Sequence, residues 1–137
     1  MKNIFCLFII LISFFANSQS KKLIKDTISD KTPYTAVETM PQYYGGQEAM
    51  FKFIAENLEY PSDAVNSRIE GRVFVKFTIK ENGMVADVHV ISKDKLGYGC
   101  EEAAVAVIEK MPRWKPGLQN GIPVSVYYNL PIRFRMN

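Results

Sequence analysis

The fold of this chain is decided near its C-terminal end, where Val124 to Met136 read VSVYYNLPIRFRM. Apolar side chains occupy every second position of this stretch: Val124, Val126, Tyr128, Leu130, Ile132, Phe134 and Met136. Period two predicts a β-strand with one buried face and one exposed face. Pro131 falls on the exposed side, and because proline has no N–H to donate, strands tolerate it at a sheet edge rather than in the interior. The stretch therefore predicts an edge strand that another chain could extend.

A β-hairpin is predicted upstream of this strand. Four residues of its first strand alternate with polar ones, namely Val73, Val75, Phe77 and Ile79. Asn82-Gly83 supplies the residues of a two-residue turn, and Met84 to Ser92 is the returning strand, with Ala86, Val88 and Val90 on one side. Since these two strands pair as a hairpin, the closing strand cannot insert between them. It is therefore expected at the edge.

Helical periodicity appears before and after the hairpin. After Gly45-Gly46, the spacing of Ala49, Met50, Phe53, Ile54 and Leu58 predicts a helix with one apolar face. Tyr60-Pro61 ends it, and Ser62 is predicted to cap a short helix that runs to about Ser67. A second main helix is predicted from Cys100 to Met111, followed by a loop from Trp114 to Gly121. The predicted fold class is α+β: a small three-stranded antiparallel sheet with two main helices packed on one face.

The first residues differ in character from the rest. Lys2 precedes an apolar run from Ile4 to Ile12, and small and polar residues follow up to Ser20. This pattern is typical of a secretory signal peptide, and the run is shorter than the roughly 20 residues of a membrane span. We therefore predict a signal peptide at 1–19, with a short inner-membrane anchor as the alternative. A flexible polar leader is expected at 20–36 and a single domain at 37–137.

Composition excludes several function classes. The formal net charge of +3 is too small to indicate nucleic-acid binding. The chain has a single histidine and only two cysteines, Cys6 and Cys100, with no spacing typical of a metal site. No nucleophile elbow and no phosphate-binding glycine loop appears. The sequence predicts no enzymatic activity, no cofactor and no metal, and a hydrolase without a sequence signature is the weakest hypothesis considered.

Several motifs in fixed order carry a family resemblance. They are Tyr60-Pro61-Ser62-Asp63-Ala64, the segment from Arg68 to Phe77, Asn82-Gly83, Arg113-Trp114-Lys115-Pro116-Gly117 and the closing strand. From Val37 to Phe134 the chain resembles the C-terminal domain of the energy transducer TonB. Met40 to Gly46, with the helix after it, resembles a subgroup in which an N-terminal helical extension precedes this domain.

The resemblance implies a periplasmic binding module. In that family the domain grips an extended segment of an outer-membrane receptor, which pairs with the last strand of the sheet. An inner-membrane proton-driven motor supplies work through the transducer's anchor. The partner-binding residues that the resemblance implies here are Val124, Ser125, Val126, Tyr127, Tyr128 and Asn129, together with Asn57, Tyr60 and Pro61 near a second contact region.

Two hypotheses for the partner follow. In the first, an exported periplasmic domain binds the receptor segment in TonB-dependent transport, and the motor is a partner only if the N-terminus is retained as an anchor. In the second, the same edge serves an exported structural or assembly module, through a homodimer or another envelope protein.

Overall fold

The structure is a computed structural model that describes residues Thr32–Asn137. In chain order the elements are α1 Gly46–Asn57, α2 Ser62–Asn66, β1 Gly71–Ile79, β2 Val85–Val90, α3 Cys100–Glu109, β3 Gly117–Gln119, β4 Ile122–Val124 and β5 Val126–Phe134. The predicted signal segment 1–19, and the leader as far as residue 31, lie outside the described residues.

β1 is the central strand of a three-stranded sheet in the order β2-β1-β5. It pairs antiparallel with β5 without interruption, from Gly71 opposite Phe134 to Ile79 opposite Val126. Because β2 occupies the other side of β1, β5 lies at the edge of this sheet, as the sequence predicts. The predicted α+β class is confirmed.

One hydrophobic core lies between the sheet and the two longer helices. The sheet contributes alternate residues: Val73, Val75, Phe77 and Ile79 from β1, with Leu130, Ile132 and Phe134 from β5. The helices contribute Met50, Ile54, Cys100, Ala104, Val107 and Ile108. Full burial of one such large apolar side chain stabilises the fold by about 1.5–3 kcal/mol. The two periodicities seen in the sequence, two for β1 and β5 and 3.6 for α1 and α3, therefore select the buried faces correctly.

The start of α2 differs from the prediction. Ser62 is the first helical residue, and Pro61 holds the N-cap position with φ −61° and ψ 136°. Proline has no side-chain acceptor, so no side-chain hydrogen bond caps this helix. Its ring fixes φ in a range that leads directly into the first turn.

The turn between β1 and β2 is longer than the predicted two-residue turn at Asn82-Gly83. The connection runs from Lys80 to Met84, and the Gly83 N–H donates to the Lys80 carbonyl at 2.8 Å. Gly83 has φ +82°, and a Cβ there would lie 2.0 Å from the Trp114 carbonyl oxygen. The close approach of Trp114 to this turn therefore requires glycine.

β2 contains a β-bulge that the sequence did not reveal. The pairing of β2 with β1 shifts between Lys76 and Thr78, and Asp87 has φ 51°. A bulge adds one residue to one strand and changes which side chains face the core. Val85 packs against the core, where the uninterrupted alternation predicted Ala86.

A second, small sheet begins within the predicted loop from Trp114 to Gly121 and ends just after it. β3 and β4 pair antiparallel, with Gln119 opposite Ile122, across a two-residue turn at Asn120-Gly121. Both turn residues have positive φ, 52° and 72°, as the tightest hairpin turns require. β4 ends at Val124, so the closing segment is two strands, and the predicted single strand from Val124 to Met136 is corrected to β5.

Candidate partner-binding edge

β5 directs the backbone groups of every second residue away from β1. In an antiparallel pair, residues that exchange hydrogen bonds with the neighbouring strand alternate with residues that point outward. The Tyr127 N–H donates to a residue outside the ladder, which fixes the alternation: odd-numbered residues from Ser125 to Arg133 point outward. A partner strand would therefore pair with odd-numbered residues of β5.

The first part of this outer edge is already covered by Tyr34. The Tyr127 N–H donates to the Tyr34 carbonyl at 2.9 Å, and the Tyr34 N–H donates to the Ser125 carbonyl at 2.8 Å. Together they form an isolated parallel bridge between Tyr34 and Val126. Tyr34 falls in the segment predicted as a leader, where no periodicity indicated a contact.

The second part of the edge is open. Within residues 32–137, the structure gives no hydrogen-bond partner to the outward N–H of Asn129 or Arg133. Pro131 lies between them and has no N–H. It is exposed, as expected for a proline on the outer side of an edge strand. The open edge thus offers two donors, at Asn129 and Arg133, and the outward carbonyls between them.

The predicted partner-binding residues lie at both ends of β5. Val124 ends β4, Ser125 follows it, and Val126, Tyr127, Tyr128 and Asn129 begin β5. Asn57 ends α1, while Tyr60 and Pro61 connect α1 to α2. The Tyr60 ring packs edge-to-face on Phe134, with 5.4 Å between centroids, at the opposite end of β5 from Val126. The two groups are therefore separated by the length of a nine-residue strand, about 27 Å.

Only some of these side chains are accessible to a partner. Val126 is buried, and Tyr128 packs on Trp114 with ring centroids 4.9 Å apart. Tyr127 lies on the opposite face, where the Lys76 ammonium is 4.1 Å from its ring centroid. Asn129 is exposed and lies opposite Lys76 in the ladder. Any selection by β5 side chains in the predicted segment therefore depends on Tyr127 and Asn129.

The one cysteine of the described residues lies away from the outer edge of β5. Cys100 is buried at the start of α3, and burial raises the pKa of its thiol, with Glu101 and Glu102 adding to the effect. A raised pKa keeps the thiol protonated and poorly nucleophilic at neutral pH.

No cluster of histidine, cysteine and acidic residues that could hold a metal ion occurs within Thr32–Asn137. Over the same range, no helix is long and apolar enough to cross a bilayer.

Comparison with known protein families gives one match. Residues 56–136 match the family described as the Gram-negative bacterial TonB protein C-terminal. Two NMR solution structures of the Helicobacter pylori TonB-CTD are similar to this chain, each with 26% sequence identity over 64% of it. The similarity covers 90% and 78% of those two chains, with TM-scores of 0.44 and 0.46. No curated protein gives a significant match.

Proposed function

This chain belongs to the TonB C-terminal family, and from that membership we propose that it is a protein-binding module of TonB-type energy transduction. The family is transport-related and non-catalytic, and its domains are periplasmic. The module would bind an extended segment of an outer-membrane receptor by adding that segment as a strand to β5. The affinity would come from backbone hydrogen bonds, and the selectivity from side chains along the edge.

The observation that carries this proposal is the regularity of β5. Its pairing with β1 continues for nine positions without a bulge, so inward and outward backbone groups alternate regularly along it. The Asn129 and Arg133 N–H groups point outward, with no partner among residues 32–137. Since natural proteins usually blunt exposed strand edges, an edge with unused donors is consistent with a binding role.

Tyr34 divides the edge into two binding registers. A partner strand on Asn129–Arg133 can pair while Tyr34 stays in place. A partner strand on Ser125–Tyr127 competes for the two hydrogen bonds that Tyr34 now makes. Docking on the predicted segment therefore includes release of Tyr34. Because Tyr34 is exposed, each of the two hydrogen bonds is expected to contribute about 0.5 kcal/mol, the lower end of the usual range.

A proline scan of outward positions tests strand addition. Asn129→Pro removes an outward N–H and leaves the ladder to β1 intact, as native Pro131 does. With peptides from the periplasmic segments of outer-membrane receptors, we expect Asn129→Pro to weaken binding at least tenfold. Glu81→Pro, at an exposed position in the turn between β1 and β2, is the control and should keep wild-type affinity. Equal affinity for all three proteins in calorimetric titrations would overturn the proposal.

Self-association is the competing use of the same edge. Sedimentation over a range of concentrations separates the two uses. If the protein dimerises, loses the dimer in Asn129→Pro and binds no receptor peptide, the assembly module is favoured. A monomer that binds peptide supports transport.

The side-chain contribution is proposed for Tyr127 and Asn129, with a second contact near Asn57, Tyr60 and Pro61. Tyr127→Ala and Asn129→Ala should each change the ranking of receptor peptides more than they change average affinity. Unchanged affinity for every peptide with both variants would remove these two residues from the specificity claim.

Export is proposed from the first residues. A signal peptide at 1–19 predicts a mature periplasmic protein that lacks these residues. Intact-mass measurement of the protein recovered from its native envelope tests this directly. Retention of residues 1–19 would instead support the inner-membrane anchor and the motor as a partner.

A further inference from the structure

α1 lies almost entirely outside the matched residues 56–136, yet it stands beside the strand on which binding is proposed. A groove of about 520 Å³ is lined by Phe51, Ile54 and Ala55 of α1 and by Leu58, which follows the helix. Pro131 and Arg133 of β5, with Arg72 of β1, line its other side. These are the β5 positions where the outer edge is open.

We propose that this groove, together with the arginines beside it, selects an extended partner segment in which apolar and acidic side chains alternate. The apolar residues would enter the groove against α1, and the acidic residues would face Arg72 and Arg133. This inference rests on the proposed strand addition to β5 and names the partner's sequence pattern.

The apolar half of the pattern follows from the position of α1. A strand added to β5 would direct every second side chain toward the core face of the sheet, where α1 packs through Met50 and Ile54. There it would meet Phe51, whose side chain is 53% exposed, and Ala55, which is also exposed. An apolar partner side chain would cover this surface, with a gain of about 25 cal/mol for each Å² removed from water.

The acidic half follows from two arginines directly opposite each other. Arg72 and Arg133 are paired positions in the β1–β5 ladder, and both are exposed on the face away from the core. Like charges at directly opposed positions destabilise a sheet. Neither arginine forms a salt bridge among residues 32–137. The nearby Glu70 carboxylate instead accepts a hydrogen bond from the Met136 N–H at 2.7 Å.

An acidic side chain on the partner would relieve this repulsion. The intervening side chains of an added strand lie on the same face as Arg72 and Arg133, because side chains alternate between faces along a strand. A carboxylate there can accept charge-assisted hydrogen bonds from a guanidinium. The groove and the arginine pair together therefore specify a period-two pattern, with apolar residues on one side and acids on the other.

Two designed peptides test this pattern on the protein that spans residues 20–137. One alternates valine and glutamate over eight residues between Gly-Ser flanks, and the other carries lysine in place of glutamate. We expect the glutamate peptide to bind wild-type protein at least tenfold more tightly, with the preference falling as salt rises. Arg133→Glu should abolish the preference, because the new carboxylate offsets the charge of Arg72 opposite it. No preference in wild type, or no binding of either peptide, overturns the inference.

The α1 wall is tested by a pair of neighbouring substitutions. Phe51→Ser should weaken the glutamate peptide about fivefold to tenfold, the equivalent of about 1 kcal/mol of lost apolar contact. Lys52→Ser is the matched control, since Lys52 is exposed, pairs with Glu56 and does not line the groove. It should change affinity less than twofold. Urea midpoints of both variants show that the fold is retained.

The outcomes separate this inference from the proposed function. If Asn129→Pro abolishes receptor-peptide binding while Phe51→Ser and Arg133→Glu leave it unchanged, strand addition stands and the sequence pattern is wrong. If Asn129→Pro also leaves binding unchanged, both fail.

Discussion

The two edges of the sheet each lie beside a groove, and the two grooves are equal in size but lined by side chains of opposite charge. Beside β2, a groove of about 520 Å³ runs along α3 and is lined by Glu101, Glu102 and Glu109. Beside β5, the groove of about 520 Å³ runs along α1 and is lined by Arg72 and Arg133. Size therefore does not distinguish them, whereas charge does.

The strands themselves differ in regularity. β2 has six residues and is interrupted by the bulge at Asp87, whose carbonyl is 2.9 Å from the His89 ring nitrogen Nδ1. β5 has nine residues in unbroken register. A bulge twists an edge away from further pairing, so β2 is protected by its own backbone. Within residues 32–137, Tyr34 covers part of the outer edge of β5, and Pro131 removes one donor from it.

The largest expected effect separates the two sides of β5. Leu130→Pro removes an N–H that points to β1 and a side chain that is 5% exposed, so it should destabilise the fold by at least 3 kcal/mol. Asn129→Pro, one position away, should cost less than about 1 kcal/mol because its N–H points outward. Urea unfolding followed by circular dichroism measures both. Equal losses would mean that the outward and inward positions are wrongly assigned.

A smaller effect is expected at the β2 bulge. Asp87 has φ 51°, a conformation that β-branched side chains resist, so Asp87→Val should cost about 1–2 kcal/mol. Asp87→Gly should stay within about 0.5 kcal/mol of wild type, since glycine adopts positive φ readily. Chemical denaturation compares the two variants. A stabilising valine would show that β2 can straighten and that its edge is not protected by the bulge.

A still smaller effect is expected when the covered part of β5 is exposed. Truncation before Val37 removes both Tyr34 hydrogen bonds and should cost no more than about 1 kcal/mol of stability. The Tyr127 amide should then exchange with solvent about tenfold faster, while the Tyr128 amide, which faces β1, keeps its protection. Hydrogen exchange by NMR gives both rates. An unchanged Tyr127 rate would indicate that Tyr34 does not cover the edge in solution.

The smallest effect is a pH dependence of stability that arises at Cys100, beside the acidic groove along α3. Burial raises the pKa of the Cys100 thiol, and the charges of Glu101 and Glu102 raise it further. A folded-state pKa above the unfolded value gives stability that is complete below the unfolded pKa and is lost as pH rises through the folded pKa. Stability should therefore fall above about pH 8.5, the usual thiol pKa, and less steeply in Cys100→Ala.

Glu101→Gln with Glu102→Gln should lower the pKa of Cys100, which the Cys100 Cβ chemical shift reports through a pH titration. An unchanged pKa would show that these glutamates do not set the potential along α3.

The elements that the sequence predicted well are those in which burial repeats with a fixed period. β1, β5, α1 and α3 each present one apolar stripe to a shared core, so their sequences carry the pattern that their packing requires. β3 and β4 were missed because they have three residues each, too few to show a period, and Pro123 and Gly117 oppose a strand assignment. Asn120-Gly121 was the one available signal.

The sequence predicted which strand forms the candidate site. It did not predict which positions of that strand are covered or which residues lie opposite each other. Alternation in β5, with Pro131 on its exposed side, indicates an edge strand. The identity of the covered positions depends on Tyr34, which lies more than 90 positions from its partner Tyr127 and has no periodic context. The bulge at Asp87 and the opposition of Arg72 to Arg133 depend on pairing register, which no local pattern specifies.

The pairing of β1 with β5 also has a consequence for folding. The two strands close a loop that brings Gly71 opposite Phe134, so their pairing is a long-range one. The entropy cost of this closure must be met before its contacts stabilise the chain, so folding should be slower than that of a helical bundle of similar size. A polypeptide cut short before Val126 would leave Val73, Val75 and Phe77 uncovered on β1. Truncated or nascent chains of this length should therefore depend on chaperones and be readily cleaved by proteases.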